Sequence, residues 1–239
     1  EIGKIDIILH LAAGSHVDRS IDFPMEFVLD NVVGTANILE YARFQRDTYG
    51  LDRFIYFSTD EVFGSLNFND TPFVETSRYD PSSPYAASKA SSDHLVKSWY
   101  KTFDLPAIIS NCSNNYGPFQ FPEKLIPLMI ANCIDEKPLP IYGKGINIRD
   151  WLFVDDHCNA ISSIIEHGIP GETYNVGGNS EIKNIDLVSR ICTMLDELRP
   201  KEDQSSYSDL ITFVEDRPGH DLRYAINSSK IQNELNWKP

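Results

Sequence analysis

Short apolar runs alternate with longer segments of helical spacing in the first half of the chain. The runs at 4–13, 53–59 and 106–113 predict buried strands, since each is short, mostly apolar and followed by small or polar residues. The segments 24–44 and 83–103 carry apolar residues every three or four positions, and each has a proline near its start. This order predicts an α/β fold with a Rossmann-like, doubly wound parallel sheet.

The composition of the sequence changes after residue 116, where prolines and glycines become frequent and the connections between predicted elements lengthen. A short apolar run at 172–178 predicts one more strand, and an apolar stripe over 184–198 predicts a helix. We therefore expect a second, smaller region. The expected division is a cofactor domain over 1–115, with 150–178 returning to it, and a substrate-binding region over 116–149 and 179–239.

Composition narrows the classes of function. The chain has 35 acidic and 21 basic residues and a net charge of −14, which disfavours non-specific nucleic-acid binding. No apolar run approaches the ~18 residues that a membrane-spanning helix needs, so we expect no membrane partner. The four cysteines are widely spaced and form no C-x-x-C pair, and the histidines are not grouped. We expect reduced thiols, a cytoplasmic protein and no metal site.

Two adjacent carboxylates, Asp60 and Glu61, follow Thr59 at the end of the second predicted strand. Charged neighbours at the end of a buried strand cost solvation energy. Either they lie in a solvated turn, or they share one chemical task. These residues alone leave both alternatives open.

Tyr85 and Lys89 stand four residues apart on the predicted helix 83–103, and this spacing places both side chains on one face. A lysine ammonium near a phenol favours the phenolate and lowers the pKa of the tyrosine. The tyrosine could then act as a base near neutral pH. The spacing alone is also common on solvated helices, but a hydroxyl at Thr59 on the preceding strand strengthens the functional interpretation.

Further motifs extend over most of the chain. They are "HLAAGSHVDRSI", "STDEVFG", "SPYAASKASSDHLV", "NCSNNYGPFQFPEKLIPL", "RDWLFVDDH", "YNVGG" and "DRPGHDLRYAI". With the order of hydroxyl, tyrosine and lysine, they resemble the extended short-chain dehydrogenase/reductases, and among these the dTDP-glucose 4,6-dehydratases. The matching stretches run from residue 10 to residue 226.

The resemblance implies a reaction and a role for each catalytic residue. Tyr85 would take the O4 proton of a nucleotide-activated glucose, with Lys89 tuning it and Thr59 contacting O4, while NAD⁺ accepts the C4 hydride. Glu61 would then remove the C5 proton, and Asp60 would protonate the leaving O6 hydroxyl. The hydride finally returns to C6 and gives a 4-keto-6-deoxy sugar. Elimination needs one carboxyl group protonated and one ionised, which adjacent carboxylates can provide.

The resemblance also implies binding residues. The expected NAD contacts are Leu11, Ala12, Ala13, Ser15, Tyr85, Lys89 and Asn115. The expected sugar-nucleotide contacts are Thr59, Asn114, Lys124, Leu125, Pro140, Tyr142, Arg149, Asn184, Arg217 and His220. Chemically, the two arginines can fork onto pyrophosphate oxygens, Tyr142 can pack against a base, and His220 can donate to a phosphate.

The chain departs from this family in several places. The glycine-rich fingerprint that follows the first Rossmann strand is not in the sequence, and the resemblance implies that roughly seventy residues precede residue 1 in the family. We therefore expect a fragment with an incomplete sheet, weak NAD binding and no activity of its own. Gly14 stands where the family usually has glutamate, and Phe63 stands where it usually has tyrosine.

Two other functions remain open from the sequence. A sister epimerase or decarboxylase has the same tyrosine and lysine but does not need the acid–base pair, and a non-catalytic sugar-nucleotide-binding module would need neither. The nucleotide base is not readable, since dTDP, UDP and CDP sugars use similar sites. We expect a homodimer, which the resemblance implies would form through the helices 24–44 and 83–103.

Overall fold

The computed structural model describes residues 3–239, so residues 1 and 2 of the predicted cofactor domain lie outside the described residues. The strands are β1 (Ile7–His10), β2 (Arg53–Thr59), β3 (Ala107–Cys112), β4 (Asn114–Tyr116), β5 (Leu139–Tyr142), β6 (Ile148–Phe153), β7 (Thr173–Val176), β8 (Glu181–Lys183) and β9 (Ile211–Val214). The α-helices are α1 (Val17–Asp22), α2 (Pro24–Phe27), α3 (Gly34–Tyr49), α4 (Pro84–Phe103), α5 (Leu125–Ile134), α6 (Val154–His167), α7 (Asn184–Leu198) and α8 (Ser229–Leu235).

The main sheet is parallel, with strand order β1-β2-β3-β7. Helices cover both of its faces. Alternate residues of β2 point to opposite faces, so each face contributes apolar side chains to a different core. Phe54 and Tyr56 pack beneath α3 and α4, whereas Ile55 packs with Ile108 and Ile164 against α6 and α8. The predicted α/β, doubly wound sheet is confirmed.

The second region has a core of its own. A cluster of α5, α7 and β5 includes Met129, Leu139 and Val188, and β5 pairs in parallel with β9. A third sheet joins β4, β6 and β8. Its strands alternate along the chain with elements of the main sheet and of this second core, and they supply Asn114 and Arg149 to a cavity beside that core.

The end of the chain differs from the expected division. Ile231, Leu235 and Trp237 belong to the core on one face of the main sheet, and the Trp237 indole donates to the Asp156 carbonyl at 3.0 Å. The last part of the segment 179–239 thus packs with the first region, because α8 covers apolar surface of β7 and α6.

The predicted helix 24–44 is interrupted. It consists of α2, a π-helical turn from Val28 to Val33, and α3, which continues to Tyr49. The turn points the fully buried Asn31 side chain inward, where its amide bonds both backbone groups of Gly14 at 2.8 and 3.0 Å. Periodicity does not reveal such a turn, because one inserted residue scarcely changes the apolar spacing.

No helix among residues 3–239 is long and apolar enough to cross a membrane. The four cysteines are free thiols. The described residues contain no cluster of three or more His, Cys, Asp or Glu side chains arranged to hold a metal ion.

Candidate active site

The predicted catalytic residues meet at the carboxyl end of β2. Thr59 ends this strand and caps a short 3-10 helix that begins at Asp60, and its hydroxyl oxygen accepts the Glu61 N–H at 3.3 Å. The same hydroxyl lies 3.4 Å from Asp60 Oδ1. The cap turns the two carboxyl groups away from the strand direction, so that Asp60 is buried while Glu61 reaches a cavity.

The pKa values of Asp60 and Glu61 are shifted to different extents by their environments. Asp60 is only 2% exposed, and its Oδ2 has no hydrogen-bond partner within the part of the chain that the structure describes. Burial, and next the charge of Glu61, raises the pKa of Asp60 well above its usual value. Burial also raises the pKa of Glu61, but the positive charges of Arg149 and Arg217 oppose that rise. Asp60 is therefore the better proton donor and Glu61 the better base.

The expected effect of Lys89 on Tyr85 is wrong for this structure. Burial, followed by the charge of Glu61, raises the pKa of the Tyr85 phenol well above its usual value. Lys89 Nζ instead donates to the Phe57 carbonyl at 2.7 Å and lies 4.1 Å from the centroid of the Tyr56 ring. Burial lowers the pKa of Lys89 to about 8.

A cavity of about 310 Å³ lies beside Glu61 and collects the predicted substrate contacts. The predicted residues that line it are Asn114, Lys124, Leu125, Pro140, Tyr142, Arg149, Asn184, Arg217 and His220. They come from β4, β5, β6, α5, α7 and the segment after β9, so only the tertiary structure brings them together. Thr59 is not among the lining residues. Ser15, expected on the cofactor side, lines this cavity instead.

The cavity is cationic on the side of Glu61. Arg149 is buried, donates to the Asp221 carbonyl at 3.0 Å and stacks 4.2 Å above the ring of Tyr224. The Tyr224 hydroxyl in turn donates to Asp221 at 2.5 Å and lies 3.5 Å from Glu61. These contacts hold an arginine next to a carboxylate, which suits an anionic ligand near a catalytic base.

The remaining polar contacts join the two sides of the cavity. Lys124 Nζ donates to the Ser15 carbonyl at 2.9 Å, and His220 Nδ1 lies 2.6 Å from Asp216 Oδ1. The carboxamide oxygens of Asn114 and Asn184 are buried without a hydrogen-bond partner among the described residues. These two groups can accept hydrogen bonds from a ligand.

A second, more open cavity of about 530 Å³ lies at the carboxyl end of β1. Its lining residues are His10, Ala12, Ala13, Gly14, Asp30, Gly34, Asn37 and Ile38. The small side chains of Ala12 and Ala13 let a cofactor approach the backbone, as NAD binding requires. Of the other expected NAD contacts, Leu11 is 59% exposed, and Asn115 faces His157 at 2.8 Å.

The two family departures have local explanations. A Cβ atom at Gly14 would lie 3.2 Å from the ring of Phe27, so a side chain there requires that ring to move. Phe63 is 1% exposed and stacks on Phe73 with ring centroids 5.3 Å apart. A tyrosine at position 63 would bring a hydroxyl into this apolar cluster.

Several site residues were not predicted. Asp18 and Tyr224 line the substrate-side cavity, and Asp93, one helical turn after Lys89, accepts the Tyr79 hydroxyl at 2.8 Å. Asp18 and Tyr224 do lie in the quoted motifs "HVDRSI" and "DLRYAI". The position of a residue inside a motif does not show which way its side chain faces, so sequence spacing carried no signal for them.

The chain is similar to known proteins over nearly its whole length. Residues 2–239 match the model of the GDP-mannose 4,6 dehydratase family. The chain belongs to this family. Its 4,6-dehydratase relatives include dTDP-glucose 4,6-dehydratases from Neisseria meningitidis and Escherichia coli K12, each 55% identical over 98% of this chain. The chain spans 68% of the length of each of these two proteins.

Solved structures are also similar to this chain. The dTDP-glucose 4,6-dehydratase DesIV of Streptomyces venezuelae, crystallised with NAD and TYD, has a TM-score of 0.89 at 42% identity, covering 98% of this chain and 68% of DesIV. A UDP-glucuronic acid 4-epimerase of Bacillus cereus has a TM-score of 0.85 at 30% identity, covering 98% of this chain and 70% of its own. The fold is therefore common to dehydratases and epimerases.

Proposed function

We propose that this chain carries the catalytic and sugar-nucleotide-binding residues of an NAD-dependent dTDP-glucose 4,6-dehydratase. The main support is the carboxyl pair at the end of β2, in which buried Asp60 adjoins Glu61 at the wall of a nucleotide-sized cavity. An elimination of water needs an acid and a base that act on neighbouring carbons. The 55% identity to two dTDP-glucose 4,6-dehydratases supports the choice of substrate.

In the proposed oxidation step, Tyr85 removes the O4 proton and Thr59 hydrogen-bonds O4. The raised pKa of Tyr85 means that its phenol holds its proton until a positive charge comes near. NAD⁺, when bound, supplies that charge on its nicotinamide ring and accepts the C4 hydride. The open cavity beside Ala12 and Ala13 is the place where we expect part of this cofactor to bind.

In the proposed elimination step, Glu61 removes the C5 proton, which the neighbouring 4-ketone has made acidic. Asp60 gives its proton to the O6 hydroxyl, which leaves as water. The positive charge of Arg149 favours the ionised form of Glu61, and burial favours the protonated form of Asp60. The two environments thus favour opposite roles for the pair, with Asp60 as the acid and Glu61 as the base that the elimination requires.

The rival epimerase function predicts a different dependence on this pair. An epimerase of this fold moves a hydride out and back and needs no group to expel O6. We therefore propose a test in an enzyme form that also carries the glycine-rich cofactor segment. The double variant Asp60→Asn/Glu61→Gln should still reduce bound NAD⁺, seen as NADH absorbance, but should lose C5 hydrogen exchange in heavy water by ~10²–10⁴.

The outcome separates the candidate functions. Release of a 4-keto-6-deoxy sugar nucleotide by the unaltered enzyme, with a stalled double variant, supports the dehydratase. Product formation by the double variant at a near-normal rate would mean that the carboxyl pair has no catalytic role and belongs to an ordinary turn. Interconversion of C4 epimers without loss of O6 would favour the epimerase.

We also propose a homodimer that forms through helices α3 and α4. Phe44 and Tyr49 on α3 are about half exposed, and α3 packs on α4 through the Trp99–Glu40 hydrogen bond of 2.9 Å. Sedimentation of the protein at micromolar concentration measures the oligomeric state directly. The cytoplasmic location expected from the cysteines remains a prediction.

A further inference from the structure

One carboxylate in the substrate-side cavity holds two groups that are expected to bind the nucleotide. Asp18 Oδ1 accepts a hydrogen bond from Arg217 Nη1 at 2.9 Å, and Asp18 Oδ2 accepts one from the Tyr142 hydroxyl at 3.0 Å. The three residues lie on α1, after β9 and at the end of β5. Each oxygen of this one side chain therefore ties a different part of the second region to the first.

Asp18 itself is held in place by its helix. Ser20, on the same helix, accepts the backbone N–H of Tyr85 at 3.2 Å, and this bond fixes α1 to the start of α4. The Ser15 carbonyl accepts Lys124 at 2.9 Å just before the helix. Although burial raises the pKa of Asp18, the bonds to Arg217 and Tyr142 hold it below its usual value, so the carboxylate stays charged.

The edge of Arg217 that Asp18 leaves free is suited to a phosphate. A guanidinium presents Nε and Nη2 side by side, and this pair can donate to two oxygens of one phosphate. Asp18 takes Nη1, whereas Nε is buried without a hydrogen-bond partner among residues 3–239. A buried N–H of a charged group is costly to leave unpaired. The unpaired edge therefore points to an anionic ligand.

We propose that Asp18 is a positioning residue for nucleoside-diphosphate binding, which it supports by fixing the free edge of Arg217 and the ring of Tyr142 within the cavity. This inference rests on the proposed function. The opposing view is that Asp18 is merely an anion that competes with phosphate for Arg217. The two views predict opposite changes in affinity when the charge of Asp18 is removed.

Calorimetric titration with dTDP distinguishes them in this chain itself, because Asp18, Tyr142 and Arg217 all line the cavity. Asp18→Asn keeps the size of the side chain but loses the ion pair. We expect about tenfold weaker binding of dTDP. The matched control is Asp22→Asn, which removes the same charge from an exposed position of the same helix and should leave the affinity unchanged.

A second background tests whether Asp18 acts through its two partners. In a chain that carries Arg217→Gln and Tyr142→Phe, adding Asp18→Asn should cause no further loss, because coupled residues are not additive. Unchanged or tighter binding by the single variant, or a full further loss in the double background, would overturn the inference alone. Failure of the unaltered chain to bind dTDP would overturn the proposed substrate as well.

Discussion

At the scale of single residues, several ionisable side chains of the site lie in environments that disfavour their charged forms. Asp60 is buried beside a second carboxyl group, Tyr85 is buried near the charge of Glu61, and Lys89 is buried with a lowered pKa. Each group is held in its neutral form more strongly than it would be in water. Such shifts concentrate at functional sites because the same burial that destabilises a charge sets the proton affinity that catalysis uses.

The first prediction concerns Asp60 and stability. Because its folded-state pKa is raised, the folded chain keeps a proton that the unfolded chain loses above pH ~4. Unfolding then releases a proton, so Asp60 makes the free energy of unfolding fall as the pH rises from that value toward the folded pKa. Asp60→Asn should raise the urea midpoint at pH 7.5 and flatten this decline, with little gain near pH 4.

The control for Asp60 lies at the other end of β2. Asp52 is exposed and directly precedes β2, so Asp52→Asn should leave the pH dependence of the urea midpoint nearly unchanged. A lower midpoint for Asp60→Asn at pH 7.5 would mean that the carboxyl group stabilises the fold as an anion, contrary to its burial.

The second prediction concerns Tyr85. Tyr85→Phe removes the phenolic oxygen but keeps the ring, whose edge packs on Phe27 with centroids 6.4 Å apart. In the enzyme form with the cofactor segment, we expect dTDP affinity to stay nearly normal while NADH formation is lost. Turnover that stays within about tenfold, a loss of ~1.4 kcal/mol, would rule out Tyr85 as the base.

At the scale of elements, the π-helical turn between α2 and α3 links the cofactor side to the catalytic helix. Asn31 bonds the backbone of Gly14 after β1, and its amide nitrogen also donates to Ser88 Oγ at 2.8 Å on α4. Ser88 lies directly before Lys89. One buried side chain therefore sets the distance between the cavity at β1 and the helix that carries Tyr85 and Lys89.

The third prediction tests this link. Asn31→Ala removes three side-chain hydrogen bonds and should lower the free energy of unfolding by about 3 kcal/mol, at about 1 kcal/mol for each bond. Urea unfolding followed by circular dichroism measures the loss. Asn37→Ala, at an exposed position of α3, should cost well under half as much. Equal losses in the two variants would refute the role of the turn.

At the scale of the whole molecule, the two cavities differ in how far the surrounding residues enclose them. The substrate-side cavity is enclosed by elements of both regions, whereas the cavity at β1 is open and lined mainly by small or exposed residues. The printed sequence has no glycine-rich fingerprint to cradle a pyrophosphate at a helix N terminus.

The fourth prediction follows from this difference. Titrated into this 239-residue chain, dTDP should bind measurably and NAD⁺ should show no tight site. The reason is that NAD⁺ needs a cradle for its pyrophosphate, and Ala12 and Ala13 offer only backbone approach. A sub-micromolar dissociation constant for NAD⁺ in the same calorimeter would show that cofactor binding here does not depend on that fingerprint.

The sequence by itself determined the parallel sheet and indicated the proposed catalytic residues. Apolar runs such as 53–59 have no other stable place than a buried strand, and the carboxyl ends of parallel strands meet at one edge. Thr59 and Tyr85 could therefore be placed together from pattern alone. Motif resemblance then indicated ten residues for substrate binding, and the structure brings nine of them into one cavity.

Only the tertiary structure decided the electrostatics and the cross-links between the regions. Burial, followed by the charge of Glu61, raises the pKa of Tyr85, and Lys89 donates to the Phe57 carbonyl; helical spacing reveals neither. The contacts of Asp18 and the docking of α8 onto the main sheet join residues far apart in the chain. Burial and pairing depend on the sum of many distant contacts, whereas periodicity reports only a few neighbouring positions.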